Sequence, residues 1–219
     1  AEGKRLVGEA LELSSSVESI FYTKSFYKKN QSDWENFMKI DSSLIHIISD
    51  LQFKKISSTS TPSGIAALCR MIEIEKIDFE EPLWIYLDKI SDPGNLGTIM
   101  RTASWFGIKN IVLSYGSVDP YNPKTIRAGM GAHFDLNIYQ NIELDEFVKT
   151  HSIISGSNEG ENVSNFEFPE KFVLVLGSEA HGISKDIEKF VQQTITIKKL
   201  GKGESLNLAS AASILMYAL

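Results

Sequence analysis

Residues 83–114 read LWIYLDKISDPGNLGTIMRTASWFGIKNIVLS. Leu83–Ile90 is apolar enough for a strand buried on both faces, and the Pro, Gly and Asn that follow punctuate its end. A helix is expected over Thr98–Phe106, stopped by Gly107 in the left-handed position past a helix end. Ile111–Ser114 is the next strand. Strand, helix and strand in succession make a βαβ unit, which requires a parallel sheet. Ile153–Ser155, Phe172–Leu176 and Thr194–Ile197 continue the pattern as short apolar strands, with helices expected between them. Residues 79–219 are therefore expected to form an α/β domain.

The region before it is less regular. Val17–Tyr22 and Leu44–Ile48 read as strands, Ser32–Ile40 as an amphipathic helix capped by Ser32 or Asp33, and Ser49–Lys55 as another short helix. A hydroxyl-rich loop, Ser57–Gly64, precedes the apolar run Ile65–Met71. Glu73–Pro82 is charge-rich, ends in Pro and reads as a linker. Two domains are expected, 1–78 and 79–219. No repeat is visible at any period of a solenoid or propeller.

Composition bounds the class. The 219 residues are 42% hydrophobic and 23% charged, an ordinary globular balance that excludes a disordered or fibrous chain. Cys69 is the single cysteine, which excludes an intrachain disulfide or a cysteine-rich zinc cluster and fits a reducing compartment. Apolar runs reach about five or six residues, against roughly twenty needed to span a bilayer. No signal sequence opens the chain. It begins Ala-Glu-Gly rather than Met, so a short leader is expected ahead of residue 1. A soluble, cytoplasmic protein without membrane contact is expected. The net charge is −6, so any polyanion must be held by local patches or backbone amides rather than by the overall field.

Two common cofactor signatures are missing. No G-x-G-x-x-G follows a strand. Gly177–Ser184 has the glycine spacing of a phosphate loop, but Ile183 stands where the lysine is required. Three strand-to-loop junctions remain. In Asp92–Ala103, Asn95 can cap or brace a tight Pro/Gly turn and Arg101 lies one turn into the helix. The residue is either an anion or carboxylate binder or an exposed arginine on a capped helix. In Leu174–Ile183, a strand ends in Gly177 and sets Glu179 where open α/β sheets bind ligands; a solvated Glu in an ordinary turn reads equally well. In Ile195–Leu208, a Gly/Lys loop leads to Ser205, a natural cap, and Asn207, which a Ser205 cap leaves unexplained. The helix that follows, Leu208–Leu219, is apolar and small on nearly every face, so a second subunit is expected to cover it.

Taken together, Asn95…Arg101-Thr-Ala, Leu-Gly-Ser-Glu179-x-x-Gly182-Ile and Glu204-Ser205-Leu206-Asn207 resemble the three motifs of the SpoU branch of the SPOUT (α/β-knot) RNA methyltransferases. The resemblance covers about residues 83–219. Ile126–Phe134 is similar to a family helix, with Gly129 where Ser is more usual. Residues 1–78, with Thr61-Pro62-Ser63-Gly64-Ile65 near their end, resemble the small ribosomal-protein-like substrate-binding domain of many members. The resemblance implies a deep trefoil knot in the C-terminal domain. It implies transfer of a methyl group from S-adenosyl-L-methionine to a ribose 2′-hydroxyl of ribosomal or transfer RNA, ribosomal RNA being favoured by the extra domain. Gly156, Leu176, Gly177, Ile197 and Leu206 would line the cofactor pocket. Arg101 matches the catalytic arginine, and Asn95, Glu179, Ser205 and Asn207 would brace the loops or orient Arg101 and the ribose. The family's active site draws on two subunits, which implies a homodimer.

No metal is expected, since a sulfonium methyl is already activated and no histidine spacing suggests a site. His181 reads as a solvated loop residue. Lys198, Lys199 and Lys202 are candidates for phosphate contact. Lys54, Lys55 and the Ser57–Ser63 loop are either further contacts or a plain connector. A base-methylating SPOUT enzyme and an inactive RNA-binding or ribosome-assembly protein are the alternatives.

Overall fold

The computed structural model describes residues 1–13, 17–31, 41–71 and 76–219, so the expected helix at Ser32–Ile40 and part of the expected linker lie outside the described residues. The chain divides into two compact units, Ala1–Glu73 and Ile74–Leu219.

In the first unit, α1 (Lys4–Leu13), β1 (Val17–Thr23), α2 (Lys24–Lys29), β2 (Ile45–Ile48), α3 (Asp50–Ile56) and β3 (Ile65–Cys69) build a three-stranded sheet in the order β2-β1-β3. β1 runs parallel to β2 and antiparallel to β3. Val7, Ile20, Phe26, Ile65 and Ala67 form its core. Helix α1 was not anticipated from the sequence. Ser49 caps α3 in a reciprocal capping box with Gln52.

In the second unit, β4 (Leu83–Leu87) is followed by α4 (Pro93–Trp105), β5 (Asn110–Leu113), α5 (Pro123–Gly129), β6 (Asn137–Gln140), β7 (Ser152–Ser157) and β8 (Glu161–Asn162). Then come β9 (Phe172–Leu176), α6 (Lys185–Glu188), β10 (Gln193–Thr196) and α7 (Leu208–Tyr217). The seven strands pair in the order β6-β5-β4-β9-β7-β10-β8, and every pair is parallel. From β4 the chain proceeds to β5 on one side; from β9 it proceeds towards β10 on the other. The order of strands thus reverses between β4 and β9, and the carboxyl ends at such a reversal are where open α/β sheets bind ligands.

Side chains alternate across this sheet. Ile85 and Leu87 of β4 join Leu96, Ile99 and Met100 of α4 and Leu215 and Met216 of α7 in one core. Trp84 and Tyr86 join Phe147, Val173, Val175 and Ile187 in a second core on the opposite face. Helix α4 packs closely on α5 because Gly97 has no side chain: a Cβ there would lie 2.5 Å from the Thr125 carbonyl oxygen and 2.6 Å from the Ala128 Cβ.

Four local expectations are corrected. The first strand ends at Leu87, not Ile90. Helix α4 begins at Pro93, five residues earlier than expected, because Asp92 rather than Asn95 caps it: the Asp92 carboxylate accepts from the Asn95 N–H at 2.8 Å. Arg101 consequently lies about two turns into the helix, not one. The segment 126–134 is broken, with α5 ending at Gly129 and Met130 in the left-handed region at φ 48°. The last helix is capped by Asn207, not Ser205, through bonds from the N–H groups of Ala209 and Ser210.

Candidate active site

The carboxyl ends of β4, β9, β7 and β10 stand side by side, and the sequence motifs sit on the loops that leave them. Leu87 is in register with Leu176, Val175 with Ser155, and Gly156 with Ile195. The Asp88 N–H extends the ladder by donating to the Leu176 carbonyl at 2.9 Å.

Three of the expected residues meet there. Asn95, in the first turn of α4, donates its side-chain amide to Glu179 at 2.5 Å and accepts from the Asn207 amide at 3.0 Å. One carboxamide therefore joins three segments separated by 84 and 112 residues. Because Asn207 also caps α7, its two functions explain why an asparagine is needed two residues after Ser205. Asp92 anchors the same turn. The Asn95 N–H and the Lys124 ammonium hold its carboxyl below the usual carboxylate range.

Gly177 permits the second loop. Ser178 and Gly182 exchange backbone hydrogen bonds of 2.9 Å in both directions, folding the loop over the end of β9. A Cβ on Gly177 would stand 2.1 Å from the Gly182 carbonyl carbon and 2.3 Å from the Ile183 nitrogen, so no other residue fits. Gly156 lies in the same row, with Leu176 and Leu215 side chains against the space a Cβ would take. Leu176 is buried, Ile197 half-buried and Leu206 exposed.

Arg101 and Ser205 are not drawn into this network. Both are exposed, and neither side chain forms a hydrogen bond or ion pair among the described residues. Arg101 is six residues beyond Asn95, about 9 Å further along the helix axis. Lys198, Lys199 and Lys202 are likewise exposed and form no ion pair among the described residues. His181 is exposed, its N–H donating to the Ser178 hydroxyl at 3.3 Å.

Asp88 was missed. It is 1% exposed, and its carboxylate accepts from the Ser184 N–H at 2.7 Å. Its other oxygen, Oδ1, has no partner, and neither has the buried Ser184 hydroxyl. The signal in the sequence was a charged residue inside an otherwise apolar strand end. Two other buried polar residues are structural: His151 Nε2 bonds the Glu81 carbonyl at 2.8 Å, and His133 Nε2 bonds that of Pro120 at 2.7 Å. Burial pushes the His133 imidazole down, keeping it neutral.

Residues 82–217, more than half of the chain, match the model of the SpoU rRNA Methylase family. The chain belongs to this family. As a SpoU protein it also carries, at residues 1–67, a match to the MRM3-like substrate binding domain. It is 32% identical to the 23S rRNA (guanosine(2553)-2′-O)-methyltransferase RlmP of Bacillus subtilis over 99% of this chain and 86% of that protein. It is 27% identical to the mitochondrial rRNA methyltransferase 3A of Danio rerio, over 99% of this chain and 62% of that one. The SpoU methyltransferase AviRb of Streptomyces viridochromogenes, solved with the cofactor AdoMet, superposes with a TM-score of 0.84 at 21% identity, covering 100% of this chain and 87% of that one. At that identity the likeness is one of fold.

Proposed function

We propose that this SpoU protein transfers a methyl group from S-adenosyl-L-methionine to a ribose 2′-hydroxyl, and that its substrate is ribosomal RNA. The observation that carries the proposal is the Glu179–Asn95–Asn207 link at the point where the strand order reverses, the place where open α/β sheets bind their ligands. The residues around it suit this cofactor. Gly156 and Gly177 bring backbone close to strand ends, and Leu176, Ile197 and Leu206 offer apolar surface for an adenine. In this reading the chain has the knotted path of its family, residues 79–219 form the catalytic domain and residues 1–78 hold the RNA.

Bound there, the sulfonium cofactor supplies an electrophilic methyl group. The protein's tasks are then to position the hydroxyl and to stabilise the oxyanion that develops as its proton leaves. Arg101 does this best. Its planar, permanently charged fork can hold a phosphate and face the alkoxide, and being unpaired it needs to break no internal bond. Asn95, Glu179 and Asn207 fix the loops, and Ser205 lies at the mouth of the last one.

Arg101 stands away from the network of its own subunit, which supports a homodimer in which it serves the partner's cofactor. An apolar patch supports the same reading: Trp105 is 84% exposed and Tyr217 79%, Phe106 just past α4 meets Tyr217 ring to ring, and Ile214 of α7 and Leu219 just beyond it are exposed too. Patches of this kind mark interfaces. The helix α7 itself buries Ala209, Ala212, Leu215 and Met216 within its own unit, so only its outer face remains for a partner. No described helix is long and apolar enough to cross a membrane, and no cluster of metal-ligating side chains occurs among the described residues. Cytoplasmic rRNA is the substrate pool proposed.

The test is transfer from S-adenosylmethionine labelled in the methyl group to ribosomal RNA lacking ribose methylation, followed by digestion to nucleosides. Label on a 2′-O-methyl nucleoside is the expected result; label on a base would overturn the proposal. Transfer RNA in a parallel reaction tests the choice of substrate.

A further inference from the structure

The motif Thr61–Ile65 of the first unit has no part in the chemistry proposed above, and it borders a cavity. The cavity measures about 270 Å³ and lies wholly within that unit, where the end of β1, α2, the start of α1 and the 62–64 loop meet. Gly64 lets its wall close. It stands at φ 83°, in the left-handed region, and a Cβ there would be 2.9 Å from the Thr23 Oγ1, the atom that caps α2. Only glycine meets both demands. Phe26 and Pro62 give the cavity apolar surface, and three exposed residues, Lys4, Lys29 and Asp50, give it charge. The Asp50 carboxylate is already engaged, accepting from the Ser25 hydroxyl at 2.8 Å. Lys29, the last residue of α2, has no such engagement: its side chain forms no hydrogen bond or ion pair among the described residues. Two cations against one occupied carboxylate favour an anion here, in a chain whose net charge is −6.

Pockets for small ligands begin at roughly 300 Å³, so this space admits one planar group and not a folded helix. An unstacked nucleotide has both parts that the lining asks for, a flat base for the apolar surface and a phosphate for the lysines. We propose that the cavity receives one unpaired nucleotide of the RNA, its base against Phe26 and Pro62 and an adjoining phosphate on Lys29. This rests on the reading that residues 1–78 hold the RNA. It makes the first unit select a loop or bulge, because the bases of a continuous duplex are stacked and cannot enter. The neighbouring Ser57–Thr59 stretch, whose donors already serve Glu2, stays outside the contact.

Equilibrium binding of ribosomal RNA lacking ribose methylation to the full chain, over a series of salt concentrations, tests it. Lys29→Ala should weaken binding about tenfold and lower the slope of log affinity against log salt by roughly one, as the loss of one phosphate contact does. Lys28→Ala removes the same charge one residue away, outside the cavity, and should weaken binding no more than about twofold, as for a screened exposed charge. Ser63→Tyr, which fills the space with a ring, should weaken binding about tenfold, the scale of one lost base contact, and leave the salt slope and the unfolding midpoint unchanged. Equal weakening by the two lysine variants would show a diffuse field and overturn the proposal. So would full binding by Ser63→Tyr, which would leave Lys29 a contact to RNA that enters no cavity. Should Ser63→Tyr not fold, irradiation of the parent on thiouridine-substituted RNA must attach the RNA within residues 23–30 or 62–64; attachment only elsewhere would overturn the proposal. If the parent binds no ribosomal RNA, the reading of the first unit has failed and this inference with it. If the parent binds and the variants match it, this inference alone has failed.

Discussion

In the first unit the Glu2 carboxylate accepts hydrogen bonds from the Ser57 hydroxyl at 2.7 Å, the Ser58 N–H at 3.2 Å and the Thr59 hydroxyl at 3.2 Å. In the second unit the Glu179 carboxylate has Asn95 as its one hydrogen-bond partner among the described residues, and one oxygen of the buried Asp88 accepts none. Both regions are polar loops, one leaving α3 and the other leaving β9, and from composition they look alike. The first has spent its donors on an internal anion, which leaves few for a phosphate and favours the reading of Ser57–Thr59 as a connector. The second keeps donors and charge unsatisfied, which proteins retain where a ligand completes the set. Completeness of hydrogen bonding, more than residue type, separates the two.

Arg101 gives the largest expected break in that contrast. Arg101→Ala should lower turnover on the order of a hundredfold or more, the scale of losing one preorganised charge-stabilising donor, while affinity for the cofactor stays within a few fold. Arg101→Lys should restore part of the rate, because a point charge lacks the planar fork. Wild-type turnover in the alanine variant would make Arg101 a surface residue.

Next come the asparagines. Asn95→Ala or Asn207→Ala should each lower turnover about tenfold, the cost of roughly 1.4 kcal/mol of positioning. Asn207→Ala should lose a further ~1 kcal/mol of stability with its helix cap. Since the two residues share one bond, the double variant should lose less than the two singles added together. Strict additivity would show that the bond has no part in activity.

The dimer surface can be tested by complementation. Trp105→Glu with Tyr217→Glu should shift sedimentation to a species near the 24.4 kDa of one chain and abolish turnover. Mixing Arg101→Ala chains with chains unable to bind the cofactor should recover activity if each site draws on two chains. No recovery from a mixture that does exchange subunits would place Arg101 and cofactor on one chain.

The smallest effect belongs to the satisfied loop. Burial alone would raise the Glu2 carboxyl, but the bonds from Ser57, Ser58 and Thr59 outweigh it and hold it below its ordinary value. A depressed carboxyl stabilises the fold fully above the ordinary value of 4.5 and loses that contribution as pH falls through the folded value. Glu2→Gln should therefore cost about 1 kcal/mol at neutral pH, flatten the acid limb of the stability profile and leave turnover unchanged. A fall in turnover would mean that the loop does touch the substrate.

Much of the second unit could be read from the sequence because parallel strands buried on both faces appear as short apolar runs, as β4, β5, β7 and β9 do; β10 was found as well, although Ile195 is its one buried residue. β6, Asn137–Gln140, was missed because half of its residues are polar and it lies at the sheet edge, where one side faces solvent. The caps were misplaced by two and three residues. Asn95 and Ser205 are good capping types, but Asp92 and Asn207 sit where the geometry closes, and capping chemistry alone does not rank them. The link from Asn95 to Glu179 and Asn207 spans positions that no local pattern connects; only the resemblance of the motifs grouped them. Asp88 escaped because its one signal, a charged residue at the end of an apolar strand, does not tell whether the carboxylate will be buried or solvated.

The seven-stranded sheet is bordered by very short, polar strands: Glu161–Asn162 on one side and Asn137–Gln140 on the other. Long, flat, apolar borders recruit strands from other molecules and seed aggregation, whereas a two-residue border offers almost no template. Assembly by sheet extension is thereby disfavoured. The dimer proposed above would then use the exposed apolar side chains at the ends of α4 and α7 without offering backbone to every neighbouring chain.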